Sequence, residues 1–188
     1  DFTVPAAAAP LTASGLFADT PASATLALPA TLQAGVMWQA TPRATLYLDA
    51  RARFWSSFEE IRVHFGNPLQ PDAVETTLYK DVGRYAIALD YAVDPTLKLR
   101  AGFAYDETPT RDEYRMARIS DHLRRYYALG ASYTGFENWQ IDMAYNRVDV
   151  AQVNYDRVGD YHEHVIGKFE GGANVFSLGV TRRFAIAG

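Results

Sequence analysis

The stretch GRYAIALDYAVDPTLKLRAGFAYD, residues 83 to 106, decides the fold. Tyr85, Ile87, Leu89, Tyr91 and Val93 alternate with Arg84, Ala86, Ala88, Asp90 and Ala92. After Asp94-Pro95-Thr96 the alternation resumes, with Leu97, Leu99, Ala101, Phe103 and Tyr105 set against Lys98, Arg100, Gly102 and Asp106. Successive side chains of an extended chain point to opposite faces, so a period of two predicts two strands. The three-residue joint, with Pro95 at its centre, predicts a tight antiparallel turn between them. One face is apolar and the other carries full charges at mid-strand, so the two faces meet different surroundings.

Five further stretches repeat the pattern. About Thr25 to Gln39 places Leu26, Leu28, Ala30, Leu32, Ala34, Val36 and Trp38 on one face; about Ala44 to Phe54 alternates Leu46, Leu48, Ala50, Ala52 and Phe54 with Tyr47, Asp49, Arg51 and Arg53. Strands are also predicted over about Leu123 to Thr134, Trp139 to Val148 and Ala173 to Phe184. Each is close to the roughly 9–11 residues that cross a bilayer as a tilted strand. Trp38, Tyr85, Tyr105, Trp139 and Tyr145 stand toward strand ends on the apolar face. An apolar exterior bounded by rings, with a polar interior, is the pattern of a transmembrane barrel. A soluble β-sandwich shares the alternation, and the joints separate the two. Thr41-Pro42-Arg43, Asp94-Pro95-Thr96 and Gly135-Phe136-Glu137-Asn138 are short, whereas Ser56 to Asp81, Glu107 to His122 and Asp149 to Gly172 are long. Short turns at one end and long loops at the other are the arrangement of outer-membrane barrels. The reading is therefore all-β, an antiparallel transmembrane β-barrel with seven strands visible. Residues 1–24 are expected to form a loop segment, 25–184 the barrel strands with long external loops, and 185–188 a tail. Ile61 to Phe65 also alternates and is expected to prolong a strand above the membrane.

Composition removes other classes. No apolar run approaches the roughly 18 residues of a membrane helix. Lys+Arg number 18 against Asp+Glu 22, which gives no basic surplus for a nucleic-acid partner. With no cysteine there is neither a disulfide scaffold nor a thiolate metal site.

Three stretches carry a family resemblance. GFAYDETPTRDEYRMARISDHLRRYYALGASY, Gly102 to Tyr133, holds a strand, then Asp106 with Thr108-Pro109, Arg115, Ile119, Asp121 and Arg124 or Arg125, then a second strand. FWSSFEEIRVHF, Phe54 to Phe65, has a Trp-Ser-x-Phe strand, and LALPATLQAGV, Leu26 to Val36, a Leu-Pro strand start. Together these resemble the FadL family of outer-membrane transporters for long-chain fatty acids and other hydrophobic compounds, from Thr25 to Phe184. The resemblance implies the C-terminal half of a fourteen-stranded monomeric barrel in the bacterial outer membrane. It also implies passive uptake of a hydrophobic small molecule and contact with outer-membrane lipid and lipopolysaccharide; the residues themselves point to no cofactor. The family ends on an aromatic residue; here Phe184 is followed by Ala185 to Gly188.

The candidate ligand contacts are basic residues on the polar face, Arg84, Lys98 and Arg100, with Lys80 near a region where the family holds its ligand's head group. A carboxylate is the expected guest. The competing reading is that Arg51, Arg53, Arg84 and Arg100 pair across strands with Asp49, Asp90 and Asp142. His162-Glu163-His164 has a metal-like composition but no third ligand in view, so a solvated loop is expected. Ser120 and His122 with Asp106 or Asp121 offer the parts of a lipid hydrolase. Sequence neighbours point apart, however, and no catalytic role is expected. A structural or adhesive barrel without transport is the remaining alternative.

Overall fold

The computed structural model describes residues 12, 15, 18–115, 121–158 and 164–184, apart from the side chains of 157 and 158. Ten strands follow in order: β1 (Ala22–Ala24), β2 (Thr31–Thr41), β3 (Ala44–Arg53), β4 (Glu60–Phe65), β5 (Ala73–Thr76), β6 (Val82–Ala92), β7 (Leu97–Asp106), β8 (Arg124–Tyr133), β9 (Trp139–Val158) and β10 (His164–Arg182). Seven make one antiparallel sheet in the order β10-β9-β8-β7-β6-β3-β2. β1, β4 and β5 form a second, small sheet.

The short joints are built by local chemistry. Thr41 Oγ1 accepts from the backbone N–H of Arg43 (3.2 Å) and Ala44 (3.0 Å), closing the β2–β3 turn. Asp94 Oδ1 accepts from Thr96 N (2.7 Å), Thr96 Oγ1 (2.7 Å) and Leu97 N (2.9 Å), holding the β6–β7 turn. Those bonds, the Thr96 hydroxyl first, hold the Asp94 carboxyl below its usual range. In the β8–β9 turn Asn138 takes a φ of 61°, the left-handed conformation that Asn tolerates better than most residues.

Register assigns the faces. Val36, Leu48, Ile87, Phe103 and Tyr127 lie in one row across five strands, and Trp38, Leu46, Leu89, Ala101, Leu129, Tyr145 and Phe176 lie in the next. Among the described residues these side chains meet no second layer: Leu48 is 46% exposed, Leu89 40%, Leu99 44% and Leu129 61%. A soluble sandwich would bury them, whereas a membrane wall presents them to lipid. The row Ala50–Tyr85–Tyr105–Arg125–Asp149 passes from apolar to charged as it crosses the sheet. Ladder rows run perpendicular to the strands, and a bilayer cuts tilted strands obliquely, so the apolar band steps from row to row. No described helix is long and apolar enough to cross a membrane.

Four expectations change. The strand foreseen from Thr25 begins at Thr31, because Pro29 lacks an N–H and β3 ends opposite, where Phe54 N reaches Ala30 O (3.0 Å). Within the foreseen N-terminal loop, Ala22–Ala24 pairs with β4. Ile61 to Phe65 is a strand, but it turns away from the barrel wall into the small sheet. The foreseen long loop from Asp149 to Gly172 is mostly strand: β9 and β10 continue as a paired ribbon to Val158 and from His164, with a register shift between Phe169 and Gly171. Polar residues are tolerated there because strand pairing beyond the bilayer needs no apolar face.

The segment between β3 and β6 is pinned by an aromatic nest. Trp55 meets Phe58 (5.8 Å) and Tyr79 (5.7 Å) edge-on, and Phe58 stacks on Tyr79 at 5.4 Å. Thr77, fully buried, donates its hydroxyl to Phe58 O at 3.0 Å.

Candidate functional site

The face opposite the apolar one carries two polar belts. Nearer the long loops, Gln33 Nε2 donates to Asp49 Oδ2 (2.6 Å) and Arg51 Nε donates to Gln33 Oε1 (3.1 Å). Arg84 stands 4.0 Å from Asp49 and lies over the Tyr126 ring at 5.8 Å. Arg53 reaches past β6 to Asp106 on β7 at 2.5 Å. Nearer the short turns, Arg100 lies 3.6 Å from Asp90 and 3.8 Å from Asp142, and it donates to Ser132 Oγ at 2.7 Å. Ser132 donates in turn to Asp142, which also accepts from Gln140 Nε2 at 2.8 Å. Lys98 is 4.0 Å from Asp90.

Between the belts the wall is built of small residues. A groove of about 510 Å³ runs along Ala88, Gly102, Ala128 and Gly130, with Asp90 and Arg100 at one end. Cross-strand neighbours there are pairs such as Ala88–Gly102 and Gly102–Ala128, so the floor at these positions is backbone and methyl groups, with Tyr47 and Asn146 flanking it in the same row. Belts and groove together make a wall that is polar at both levels and small-residued between.

The foreseen residues divide. Arg84, Lys98 and Arg100 do share the polar face, and each has a carboxylate within 4.0 Å. Of the carboxylates expected to pair with the wall cations, Asp49 lies beside Arg84 and Asp90 beside Arg100 on adjacent strands, and Asp142 approaches Arg100 from across β8. Arg51 and Arg53 instead take Gln33 and Asp106, neither of which the strand pattern singled out as their partner. Lys80 is exposed in the segment leading into β6, where its backbone N–H donates to Pro109 O at 3.0 Å and ties two long loops together.

Sequence reasoning missed a buried cluster at the foot of β8. Arg115 is 2% exposed and His122 4%. Arg115 binds Asp112 (2.6 Å), the Asp121 carbonyl and His122 Nδ1 (3.1 Å). Asp121 accepts from Thr108 (2.9 Å) and from Arg124. Burial first, then the Arg115 charge, pushes the His122 imidazole below its ordinary value. Tyr79 is pushed up by burial, although its bond to Thr110 opposes the shift. The residues of this cluster were legible as a motif, but their contacts lie between loop ends that periodicity does not describe. His122 therefore faces a guanidinium where a hydrolase histidine needs a carboxylate; Ser120 lies outside the described residues. His162 and Glu163 also lie outside them, while His164 Nε2 sits 2.5 Å from Asp156. Among the described residues no group of three or more metal-binding side chains occurs.

The family model for outer membrane protein transport proteins of the OMPP1/FadL/TodX type matches residues 3–184. The chain belongs to this family. It is 31% identical to Outer membrane protein P1 of Haemophilus influenzae over 141 residues, 71% of this chain and 29% of that protein. It is 28% identical over 183 residues to the 47 kDa outer membrane protein of Pasteurella multocida, 95% of this chain and 41% of that one. A FadL homologue of Pseudomonas aeruginosa superimposes with a TM-score of 0.75 at 30% identity, over 86% of this chain and 37% of the other. The P. putida toluene transporter TodX superimposes with 0.58 at 18% identity, over 86% of this chain and 36% of the other, a likeness of fold. This FadL-family chain thus spans well under half the length of these relatives. It is an outer-membrane β-barrel chain of a family of transport proteins.

Proposed function

We propose that the complete protein is a monomeric channel for passive uptake of long-chain fatty acids or other hydrophobic small molecules, without catalysis and without a cofactor. The observation that carries this reading is the small-residue groove between two charged belts on the face opposite lipid. A greasy chain slides along Ala and Gly without having to displace long side chains. A carboxylate head group exchanges for Asp49, Asp90 or Asp142 at Arg84, Lys98 and Arg100, with Lys80 meeting it at the mouth. Such exchange replaces one charge-assisted bond by another and so costs little. The name of a long-chain fatty acid transport protein of Escherichia coli, 28% identical over 126 residues, 64% of this chain and 27% of that one, supports the acid guest. The toluene transporter supports a neutral guest instead.

The strand count bears on the monomer. β2 and β10 are the two edges of the seven-stranded sheet and, six antiparallel steps apart, run the same way. An edge open to hydrocarbon leaves backbone groups unpaired at several kcal/mol each. A second copy turned about the barrel axis would offer only parallel edges. An odd number of further strands gives antiparallel seams, in keeping with seven more. Radiolabelled oleate or toluene uptake, measured in cells with and without the protein, tests the transport reading, and equal uptake would end it. A barrel with a purely structural role predicts that equality, whereas a hydrolase predicts lipid cleavage lost in His122→Ala.

A further inference from the structure

Register fixes which charged side chains leave the wall on the lipid side. Tyr127 and Arg147 are cross-strand partners, as are Arg125 and Asp149, and all four lie on the face that carries Leu129, Tyr145 and Met143. Arg125 is the ninth residue counted from Tyr133 on β8, and Arg147 the ninth from Trp139 on β9. Tyr133 and Trp139 mark the turn-side limit of the apolar band. A spanning strand needs about 9–11 residues, so both guanidinium groups stand at the opposite limit, where acyl chains give way to head groups.

Their internal compensation is incomplete. Arg125 is 3.7 Å from Asp149, and both side chains are 44% exposed. Arg147 donates to the neutral amide oxygen of Asn174 at 3.4 Å, which also accepts from Tyr145 OH at 2.9 Å. The guanidinium lies flat on the wall: a Cβ on Gly172 would come within 3.0 Å of the Arg147 guanidinium and 2.8 Å of Val148 O, so only glycine lets Arg147 settle there. Two cations and one carboxylate therefore face outward at the edge of hydrocarbon, beside a glycine shelf and a phenol. Arginine forks match phosphate oxygens in pairs, and a cation at a membrane surface gains from an anionic head group.

We propose that Arg125 and Arg147 form an external seat for the phosphate of an outer-leaflet glycolipid, lipopolysaccharide, with Tyr145 and Asn174 beside it. The inference deepens the reading that lipopolysaccharide is a partner; it rests on the membrane placement and not on what the channel carries.

The test uses the complete protein in detergent, with thermal unfolding followed as lipid is added. The arms are lipopolysaccharide, its enzymatically dephosphorylated form and inorganic phosphate, applied to the wild type and the Arg125→Gln/Arg147→Gln double variant. Binding to the folded state alone raises the unfolding midpoint. The wild type should gain several degrees with the phosphorylated lipid, roughly 3 °C or more, and the double variant and the dephosphorylated lipid under a third of that. An equal gain in the double variant, or an equal gain with dephosphorylated lipid, overturns the proposal, since acyl contact with the apolar band would then suffice. A response to inorganic phosphate as large as that to the lipid overturns the lipid assignment. Arg147→Lys, which keeps the charge, controls for folding, and lipid retained by each variant on extraction from cells gives a second readout. Oleate and toluene uptake measured in the same variants should stay at the wild-type level, so that loss of the seat and loss of transport are read separately.

Discussion

Leu129→Arg tests the face assignment most directly. Leu129 lies midway along β8, between Tyr127 and Tyr133, and is 61% exposed on the lipid side. Arginine at the midplane of a barrel's lipid face costs about 2–4 kcal/mol, falling toward zero near the interfaces. The position of Leu129, four residues from Arg125 and four from Tyr133, is the middle of the band and places it in the upper part of that range. An equilibrium between unfolded and inserted protein should then shift by a factor of about 30 to 700. The neighbour Ala128 points to the opposite face, and Ala128→Arg should cost less than about 1 kcal/mol, as exposed substitutions that leave no charge in lipid do. The assay is urea titration of the complete protein with lipid vesicles, with insertion read by tryptophan fluorescence and by electrophoretic heat-modifiability. If Leu129→Arg inserts within about 0.5 kcal/mol of the wild type, or if Ala128→Arg is as damaging, the outward apolar face is refuted. The membrane placement of the sheet would fall with it.

Removing Arg53 leaves the buried Asp106 without its charged partner, so Arg53→Ala should destabilise the barrel by about 1–3 kcal/mol in the same titration. Arg53→Gln should recover part of that loss. His122 is held neutral, so an unfolded chain takes up its proton first as pH falls. Stability should therefore decline below the ordinary histidine range of about 6.5 and level off once the folded imidazole protonates. Thermal midpoints between pH 8 and pH 5 should show this slope in the wild type and a smaller one in His122→Gln. Asp94→Ala removes the acceptor of three turn bonds and should lower the yield of correctly inserted protein on refolding, with Asp94→Asn intermediate.

Strand identity and face were legible from residues 83 to 106 alone, because period two is a local property that tertiary structure did not override. The basic residues of the wall were legible for the same reason. Arg84 and Arg100 find their carboxylates on adjacent strands, where the alternation already placed them. Arg53 with Asp106 was not legible, since the pair spans a strand and depends on register. The Arg115–His122 contact was not either, since it joins loop ends seven residues apart whose approach no periodicity encodes.

The sequence alone determined what each short segment is: extended, two-faced, and turned by Thr41, Asp94 and Asn138, each through bonds or dihedrals within a few residues. Only the tertiary structure decided which segments pair. β4 leaves the wall for a small sheet with β1 and β5, whereas β9 and β10 rise past the bilayer as one ribbon. The physical reason is that backbone hydrogen bonds in a sheet join residues distant along the chain. Their register is set by competition among all possible partners, and alternation within one strand carries no record of that competition.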